Sequence, residues 1–482
     1  MLCSMQGKKI YTEKLFANFQ LSGRVPESNF YRQLKRMLDL DFLYPATKSL
    51  YGDTGNPSID PKVFFKLLIV GYLENITSDR KLIENCGMRL DVLYFLGYDI
   101  DEPLPWHSTM SRTRNLYPEP LFEELFNKVF AICVSSGMVS GDTQCVDSAI
   151  SKASASKDSL VEIKRPVISI QEYFKKSKED NIDATASTDR KKYEGSIKKK
   201  RNSSTRSETD RDARLITRPG KGTQLGYLSN VTVDAQQHVI SHIQADFADK
   251  RDSECLPAIL EKTQERLQEN GLQMHHLAAD TNYSSGENYE LLEQNKITAW
   301  IPVHGAFQPE REGFRYDELN DSYQCANNKQ IPLRSDYTDK RGNSYKEYRS
   351  SARDCKTCPF KLHCIGEKQQ YKKIKRTVHQ TLYEKAYHQQ HSAEGKRMRR
   401  LRSSRAEPVI GTLMNYLGLR KLRVRGIVAV NKAMLLAAMV YNLKKLMNHT
   451  ARKSKAAAQS IRKTIFEVVD VIFIIRTYRC SY

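Results

Sequence analysis

Three acidic residues, far apart in the chain, are placed where folding could bring carboxylates together. Asp147 lies within an apolar segment predicted as a strand, Asp280 ends the predicted strand 274–279, and Glu407 stands near the predicted start of a helix. Hard cations such as Mg²⁺ prefer carboxylate oxygens. Two divalent ions about 3.5–4 Å apart activate a water and neutralise charge when a phosphodiester is cut. We therefore consider these residues as ligands of Mg²⁺ or Mn²⁺.

Each of the three residues also has an ordinary structural explanation. Asp147 could bond to nearby backbone at a strand edge, and Asp280 could begin the turn Asp280–Tyr283, as aspartates often do. Glu407 follows Ser404 by three residues, which fits a helix-capping box. Taken singly, each signal favours the structural explanation.

The segments around these residues resemble the DDE transposases of bacterial insertion sequences, in the group with a separate N-terminal helical domain. The resemblance spans roughly residues 25–447, with the inserted linker excepted. In chain order, the matching segments are Asp60–Pro61, Pro105–Thr109, Cys145–Ser148, Ala279–Ser285, Ala406–Gly411, Arg425–Ile427 and Tyr441–Leu443. Several ordered matches are more specific than any single motif.

The resemblance implies that Asp147, Asp280 and Glu407 hold two catalytic metal ions. Water would then free a 3′-hydroxyl at the end of a mobile element, and that hydroxyl would attack target DNA without a covalent protein intermediate. The implied partners are double-stranded DNA, as terminal inverted repeats and target, and a second copy of the chain in a homodimer on DNA. The implied location is the bacterial cytoplasm, at the nucleoid.

The sequence departs from this family near Glu407. Many relatives carry a Tyr and an Arg shortly before the Glu and a Lys seven residues after it, where this chain has Arg400, Ser403 and Met414. We predict that neighbouring cations contact DNA phosphates instead: Arg402, Arg405, Arg420, Lys421, Arg423 and Arg425. The departure leaves open a catalytically inactive DNA-binding protein derived from a transposase, and a repair nuclease of similar fold.

Four of the ten cysteines lie close together in sequence: Cys325, Cys355, Cys358 and Cys364. Four thiolates can close a tetrahedral structural zinc site, and His363 is an alternative ligand. Reduced buried thiols or a redox pair would explain the same grouping, because clustering is the only indication of zinc.

The elements that must position these residues follow the order β, β, β, α, β, α, β, with two later helices at about 404–417 and 426–447. They include predicted helices at 253–269 and 285–294 and predicted strands at 274–279 and 298–303. This order of elements predicts an α/β (α+β) fold, a ribonuclease-H-like catalytic core with inserted segments, preceded by an all-helical N-terminal domain. The predicted domains are a helical DNA-binding domain at 1–125 and a catalytic core at 140–304 and 395–448. We also predict a charged insertion at 155–207, a cysteine-containing insertion at 305–380 and a C-terminal tail at 449–482.

In the N-terminal domain, Asp60 and Pro61 predict a helix start, and Ser108 is a possible cap of a later helix. The basic cluster Lys198–Arg201 could contact phosphates, although a solvated charge run is the more common explanation.

The composition favours a nucleic-acid partner. The formal net charge is +21, and so large a basic surplus suits a polyanion. We found no continuous apolar run of the length that spans a bilayer and no secretory signal at the N-terminus. These observations predict a cytoplasmic protein without a membrane span.

Overall fold

The computed structural model describes residues 19–52, 58–163, 202, 204–218, 222–305, 307–309, 311–339 and 343–479, with backbone only in most of the chain beyond 453. The predicted basic cluster Lys198–Arg201 lies outside the described residues. The chain divides into two compact units, Met1–Leu121 with Leu443–Tyr482, and Phe122–Asn442. The domain boundaries given above stay predictions.

The described N-terminal part of the first unit is helical, as predicted. Its helices are α1 Leu21–Arg24, α2 Phe30–Met37, α3 Leu43–Thr47, α4 Pro61–Leu73, α5 Asp79–Gly87, α6 Leu90–Leu96 and α7 His107–Leu116. The predicted start of α4 is confirmed, because the Asp60 side chain accepts from the backbone N–H groups of Lys62 and Val63. The predicted cap at Ser108 is wrong, because α7 already begins at His107 and has no side-chain cap.

The core of this helical unit is aromatic. The rings of Phe64 and Phe65 pack against Tyr117 at centroid distances of 5.2 and 5.8 Å, and all three side chains are fully buried. The Arg114 guanidinium donates two hydrogen bonds to the Asp79 carboxylate, at 3.0 and 2.8 Å. These bonds join α7 to α5.

The second unit contains a mixed sheet that confirms the ribonuclease-H-like prediction. Its strands are β1 Thr143–Lys152, β4 Arg214–Arg218, β5 Gly222–Asp234, β6 Ile240–Phe247, β7 His276–Ala278 and β8 Thr298–Trp300. β6, β5 and β1 are antiparallel neighbours, and β1, β7 and β8 run parallel. β1 therefore lies at the centre. β4 pairs with the start of β5, and a separate ribbon joins β2 Leu160–Glu162 to β3 Thr205–Ser207.

The helices α9 Asp252–Glu269 and α10 Gly286–Gln294 pack on this sheet, and α8 Glu119–Ser135 contacts α9. The predicted helices 253–269 and 285–294 are confirmed, with the first starting one residue earlier and the second one residue later than predicted. Ser285 is the cap of α10, accepting from the backbone N–H of Asn288. The predicted strands 274–279 and 298–303 are shorter than expected, because their ends turn into loops.

A smaller antiparallel sheet follows, with strands β9 Phe314–Asp317, β10 Ser322–Cys325, β11 Gln330–Thr338, β12 Ser344–Arg349 and β13 Lys373–Thr377. Two short helices, α11 Ala352–Lys356 and α12 Lys361–Cys364, connect β12 to β13. Among the described residues, the sheet buries one small cluster: Tyr323, Ile331, Tyr348 and Ile374. Asp321 reinforces it by accepting from both the Tyr316 and Tyr348 hydroxyls.

Three long helices complete the chain, α13 Gln380–His391, α14 Ala393–Tyr416 and α15 Ile427–Arg479. The helix predicted at 404–417 therefore begins earlier, capped by Ser392, and Glu407 lies in its interior. This excludes the capping-box explanation with Ser404. α15 extends well past the predicted end at 447 and includes the backbone of the apolar tail segment Ile465–Ile475.

One helical segment, Ile427–Lys453, is long and apolar enough to cross a membrane by length and composition. Of its apolar window, 67% is buried within the protein. A core helix passes the same test, so this segment is weak evidence for a membrane span.

The Arg266 side chain on α9 provides a test of how α8 and α9 are joined beside the sheet. Its guanidinium is 3% exposed and binds Glu123, Asn127 and the carbonyl of Ser241. Because the substitution removes a buried guanidinium and leaves its acceptors on Glu123, Asn127 and Ser241 unpaired, we expect Arg266→Met to lower the free energy of unfolding by about 1–3 kcal/mol.

Urea unfolding followed by circular dichroism measures this loss. Lys262→Met is the matched control, since its ammonium lies 3.9 Å from the same Glu123 but is 46% exposed, and exposed pairs contribute about 1 kcal/mol or less. Equal effects of the two substitutions would contradict the buried-charge explanation.

Candidate active site

Asp147 is placed at the centre of the sheet, in the middle of β1. The preceding residues Cys145 and Val146 are fully buried, and the Asp147 side chain is itself only 15% exposed. Burial raises the pKa of Asp147, and the charge of Asp280 raises it further. Arg402 and the backbone N–H of Ser148 oppose this shift. A carboxylate so placed requires a positive partner.

Arg402 on α14 is that partner, and it contacts a second predicted ligand as well. Its Nη1 donates to Oδ2 of Asp147 at 2.7 Å, and its Nη2 donates to Oε1 of Glu407 at 3.3 Å. The guanidinium is 13% exposed, whereas Glu407 is 59% exposed. Two of the three predicted carboxylates therefore face one cation.

Asp280 follows β7, the parallel neighbour of β1. Its side chain accepts from the backbone N–H and the side-chain amide of Asn282, at 3.0 and 3.1 Å. It caps the short 3₁₀ turn Thr281–Tyr283. Asp280 therefore does form the turn that the structural explanation expects. Its negative charge also raises the pKa of Asp147. The structure brings Asp280 and Asp147 to the same region of the sheet.

The buried Tyr283 marks this convergence. Burial raises its pKa well above the ordinary value, and the charges of Asp252, Asp147 and Asp280 raise it further. Its hydroxyl donates to Oδ1 of Asn230 at 3.2 Å. Three aspartates from separate segments are therefore near enough to this phenol to raise its pKa.

Asp252 was missed by the sequence analysis. It is the first residue of α9, and its Oδ1 accepts from the hydroxyl of Ser148 at 2.7 Å. An aspartate at a helix start is usually a capping residue, so the sequence offers no signal that separates it from an ordinary cap. Ser148 adjoins Asp147, which makes Asp252 part of the surroundings of the site.

The carboxylates of Asp147, Asp280 and Glu407 do not form a metal-binding group in this structure. Across the described ranges of the chain, no three His, Cys, Asp or Glu side chains form a group that could hold a metal ion. In the region of Asp147 and Glu407, the Arg402 guanidinium occupies the space between the two carboxylates. The positive charge between them is at present supplied by the protein itself.

The other predicted DNA contacts fall into two groups. Arg405 is partly buried and its Nη1 lies 2.6 Å from Nε2 of His238, so it is held within the protein. Four cations after α14 are exposed: Arg420, Lys421, Arg423 and Arg425. This exposed set is available to a phosphate backbone.

The exposed cations are fixed to the strand that carries Asp147. The backbone N–H of Lys152 donates to the carbonyl of Arg420, and the Leu422 N–H donates to the carbonyl of Lys152, at 3.1 and 2.9 Å. Lys152 lies five residues beyond Asp147, or roughly 17 Å along an extended strand. Gly426 and Ile427 continue the anchoring, since their N–H groups donate to Asp210 and Asp212.

The four clustered cysteines lie close to one another in the smaller sheet and its helices. Cys325 ends β10, Cys355 lies on α11 and Cys364 ends α12, with Cys358 between the helices. Burial raises the pKa of the Cys364 thiol, and the other three cysteines are near enough to raise it further. The other three thiols are thus within electrostatic reach of Cys364, but in the described part of the chain the four do not form a metal-binding group.

Two family models match the chain. Residues 19–116 match the family described as Transposase domain (DUF772), and residues 324–447 match the family described as Transposase DDE domain. The second match includes the four cysteines and Glu407. No curated protein matches the chain. The two matches, in the predicted order, confirm the resemblance: they are consistent with a DDE-type insertion-sequence transposase that has a separate N-terminal domain.

Proposed function

We propose that this protein cleaves the ends of a mobile DNA element and joins them to target DNA. Hydrolysis would free a 3′-hydroxyl, and transesterification by that hydroxyl would break a phosphodiester of the target while forming the new one. The observation that carries this proposal is the placement of Asp147 and Glu407 on one guanidinium, with Asp280 within electrostatic reach of Asp147.

The donor set suits hard divalent cations. Carboxylate oxygens at Asp147, Asp280 and Glu407 are the ligands that Mg²⁺ and Mn²⁺ prefer, and Arg402 already places positive charge between two of them. Bound there, the ions would supply the activated water and the charge neutralisation that phosphodiester cleavage requires. The exposed Glu407 can reorient at small cost, whereas the buried Asp147 is fixed by β1.

Arg402 would have two successive roles in this proposal. Without metal, it compensates the buried charge of Asp147. If the carboxylates held metal ions, the Arg402 guanidinium would be free beside the same site, where a planar pair of donors fits a DNA phosphate. Arg402 would thereby replace the arginine that relatives carry at the position of Ser403.

DNA would run over the exposed cations of 420–425, a segment that is hydrogen-bonded to the end of the strand that carries Asp147. Neutralising phosphates with such cations releases counterions, so binding should weaken steeply with salt. We further propose that the protein acts as a homodimer on paired element ends, in the cytoplasm at the nucleoid.

The four cysteines would hold one structural zinc ion. The smaller sheet buries few apolar side chains, and Phe360 and Leu362 beside the cysteines are 50% and 65% exposed. So small a core gains most from a metal cross-link. Cysteine thiolates from four segments suit a closed tetrahedral site, without an open position for catalysis.

The alternative function is DNA binding without catalysis. The substitution of Ser403 and Met414 for the basic residues of relatives favours it. An inactive protein would shift element-end DNA in a gel but nick it with neither Mg²⁺ nor Mn²⁺. A repair nuclease would cleave without joining, so the nicking assay and a strand-transfer assay together separate the three functions.

Asp280→Asn tests the catalytic assignment. It should lower Mg²⁺-dependent cleavage of a duplex carrying the terminal inverted repeat by about 100-fold or more, because even outer residues of metal sites cost about 10–100-fold. DNA binding, measured by gel shift, should persist. Asp142→Asn is the matched control, since Asp142 precedes β1 and is 53% exposed. Cleavage by Asp280→Asn at the parent rate would overturn the assignment.

Arg402→Gln tests the compensating charge. In EDTA this variant should melt several degrees below the parent, because it leaves Asp147 buried and unpaired. Adding Mn²⁺ should restore more of the melting temperature in the variant than in the parent, since metal then replaces the lost cation. Arg400→Gln, on the exposed face of the same helix, should behave as the parent. A variant as stable as the parent in EDTA would contradict this role.

Metal analysis of the purified full chain tests the zinc site. We expect about one zinc per chain, lost in Cys358→Ser together with faster tryptic cleavage between residues 324 and 377. Cys133→Ala is the control, since burial raises the pKa of that thiol to about 12 and opposes metal binding. A zinc-free parent with four thiols titratable in the native state would exclude the site.

A further inference from the structure

We propose that a cavity between α10, α13 and the smaller sheet binds one unpaired nucleotide of the DNA, an inference that rests on the proposed DNA function and extends it. The cavity has a volume of about 450 Å³. This lies in the range of small-molecule sites, about 300–1,000 Å³. It is wide enough for a base with its sugar and phosphate, and too small for a duplex.

Aromatic rings line the cavity and are held in place by other rings. Tyr383 stacks on Phe307, with centroids 5.5 Å apart and planes 30° apart, and meets the edge of Tyr289 at 5.3 Å. Tyr345 stacks on Tyr337, with centroids 5.7 Å apart and planes 26° apart. Phe307, Tyr345 and Tyr383 all line the cavity. Rings fixed in this way offer ready faces on which a base can stack.

Two cations line the same cavity. The ammonium of Lys375 lies 5.0 Å from the centre of the Tyr337 ring. The Arg311 guanidinium donates to the carbonyl of Lys375 at 2.7 Å, which fixes it at the rim. Among the described lining residues, Glu287 is the one with a negatively charged side chain. A phosphate at Lys375 and Arg311 would leave the attached base facing the rings.

Polar side chains supply the remaining chemistry. The amides of Gln308, Asn343 and Gln380 line the cavity. Asn343 and Gln380 each donate one hydrogen bond within the protein, to Asp339 and Glu384, and each amide has a second N–H and a carbonyl oxygen. They can pair with the edge of a base that has lost its Watson–Crick partner. The combination of stacking faces, cations and amides therefore favours a nucleotide over a purely apolar ligand.

The chain places this cavity near the candidate active site. Gly286, which lines the cavity, follows Asp280 by six residues. Six residues span at most about 20 Å, or about six base-pair steps of DNA. A nucleotide held here would therefore lie within a few steps of a phosphate bound at Asp280. This would keep the DNA strand unpaired and positioned near the site of cleavage.

Fluorescence anisotropy of the full chain with labelled (dT)₁₀ in EDTA measures this binding without metal. Phe307→Leu, which keeps apolar bulk but removes the ring face, and Lys375→Ala should each raise the dissociation constant about tenfold, as expected for loss of one stacked base or one phosphate contact. Tyr371→Leu and Lys373→Ala, which lie nearby but outside the lining residues, should remain within about twofold of the parent.

A blunt duplex of the same sequence length should bind all five proteins alike, because it has no unpaired base. Equal (dT)₁₀ binding by Phe307→Leu, Lys375→Ala and the parent would overturn the inference, and so would an equal loss in the control variants. The Asp280→Asn variant should bind (dT)₁₀ as the parent does. Failure of the cavity is thus distinguishable from failure of the catalytic proposal, which is read from cleavage alone.

Discussion

The arrangement of the candidate active site depends on one constraint: the carboxylate of Asp147 is buried at the centre of a sheet and must be paired with positive charge. An unpaired charge at such depth costs several kcal/mol, roughly 3–5 when one partner is removed. Arg402 meets this requirement by bonding to Oδ2 of Asp147. Because Arg402 comes from α14, the requirement also fixes that helix against β1 and brings Glu407 to the same guanidinium.

The remaining features follow from this position of β1. Its parallel pairing with β7 carries Asp280 to the neighbouring strand end, and its last residue, Lys152, binds the backbone beside the exposed cations at 420 and 421. The strand therefore connects the acidic residues, which suit divalent ions, with the basic segment, which suits DNA. The same sheet, through Asp280 and α10, leads to the aromatic cavity.

Much of this fold was predictable from the sequence because local signals were strong. The Asp60–Pro61 start of α4 and the Ser285 start of α10 are capping patterns that act within a few residues. The start of α14 was misplaced by about ten residues, because the Ser404–Glu407 spacing imitates a capping box while the true cap is Ser392. Other features could not be predicted in this way. Arg402 contacts Asp147, and Asp252 contacts Ser148, from more than a hundred positions away. The residues that line the cavity belong to no sequence motif. Local patterns carry no information on such pairs.

The central claim is that Asp147, Asp280 and Glu407 bind the same divalent ions. Fe²⁺ can be loaded in place of Mg²⁺ on the full chain bound to element-end DNA, and peroxide then generates hydroxyl radicals that cut the polypeptide beside the metal. We predict cuts near residues 147, 280 and 407, all suppressed by excess Mg²⁺. Cuts that leave out the segment around Glu407, or that persist in excess Mg²⁺, would contradict the claim.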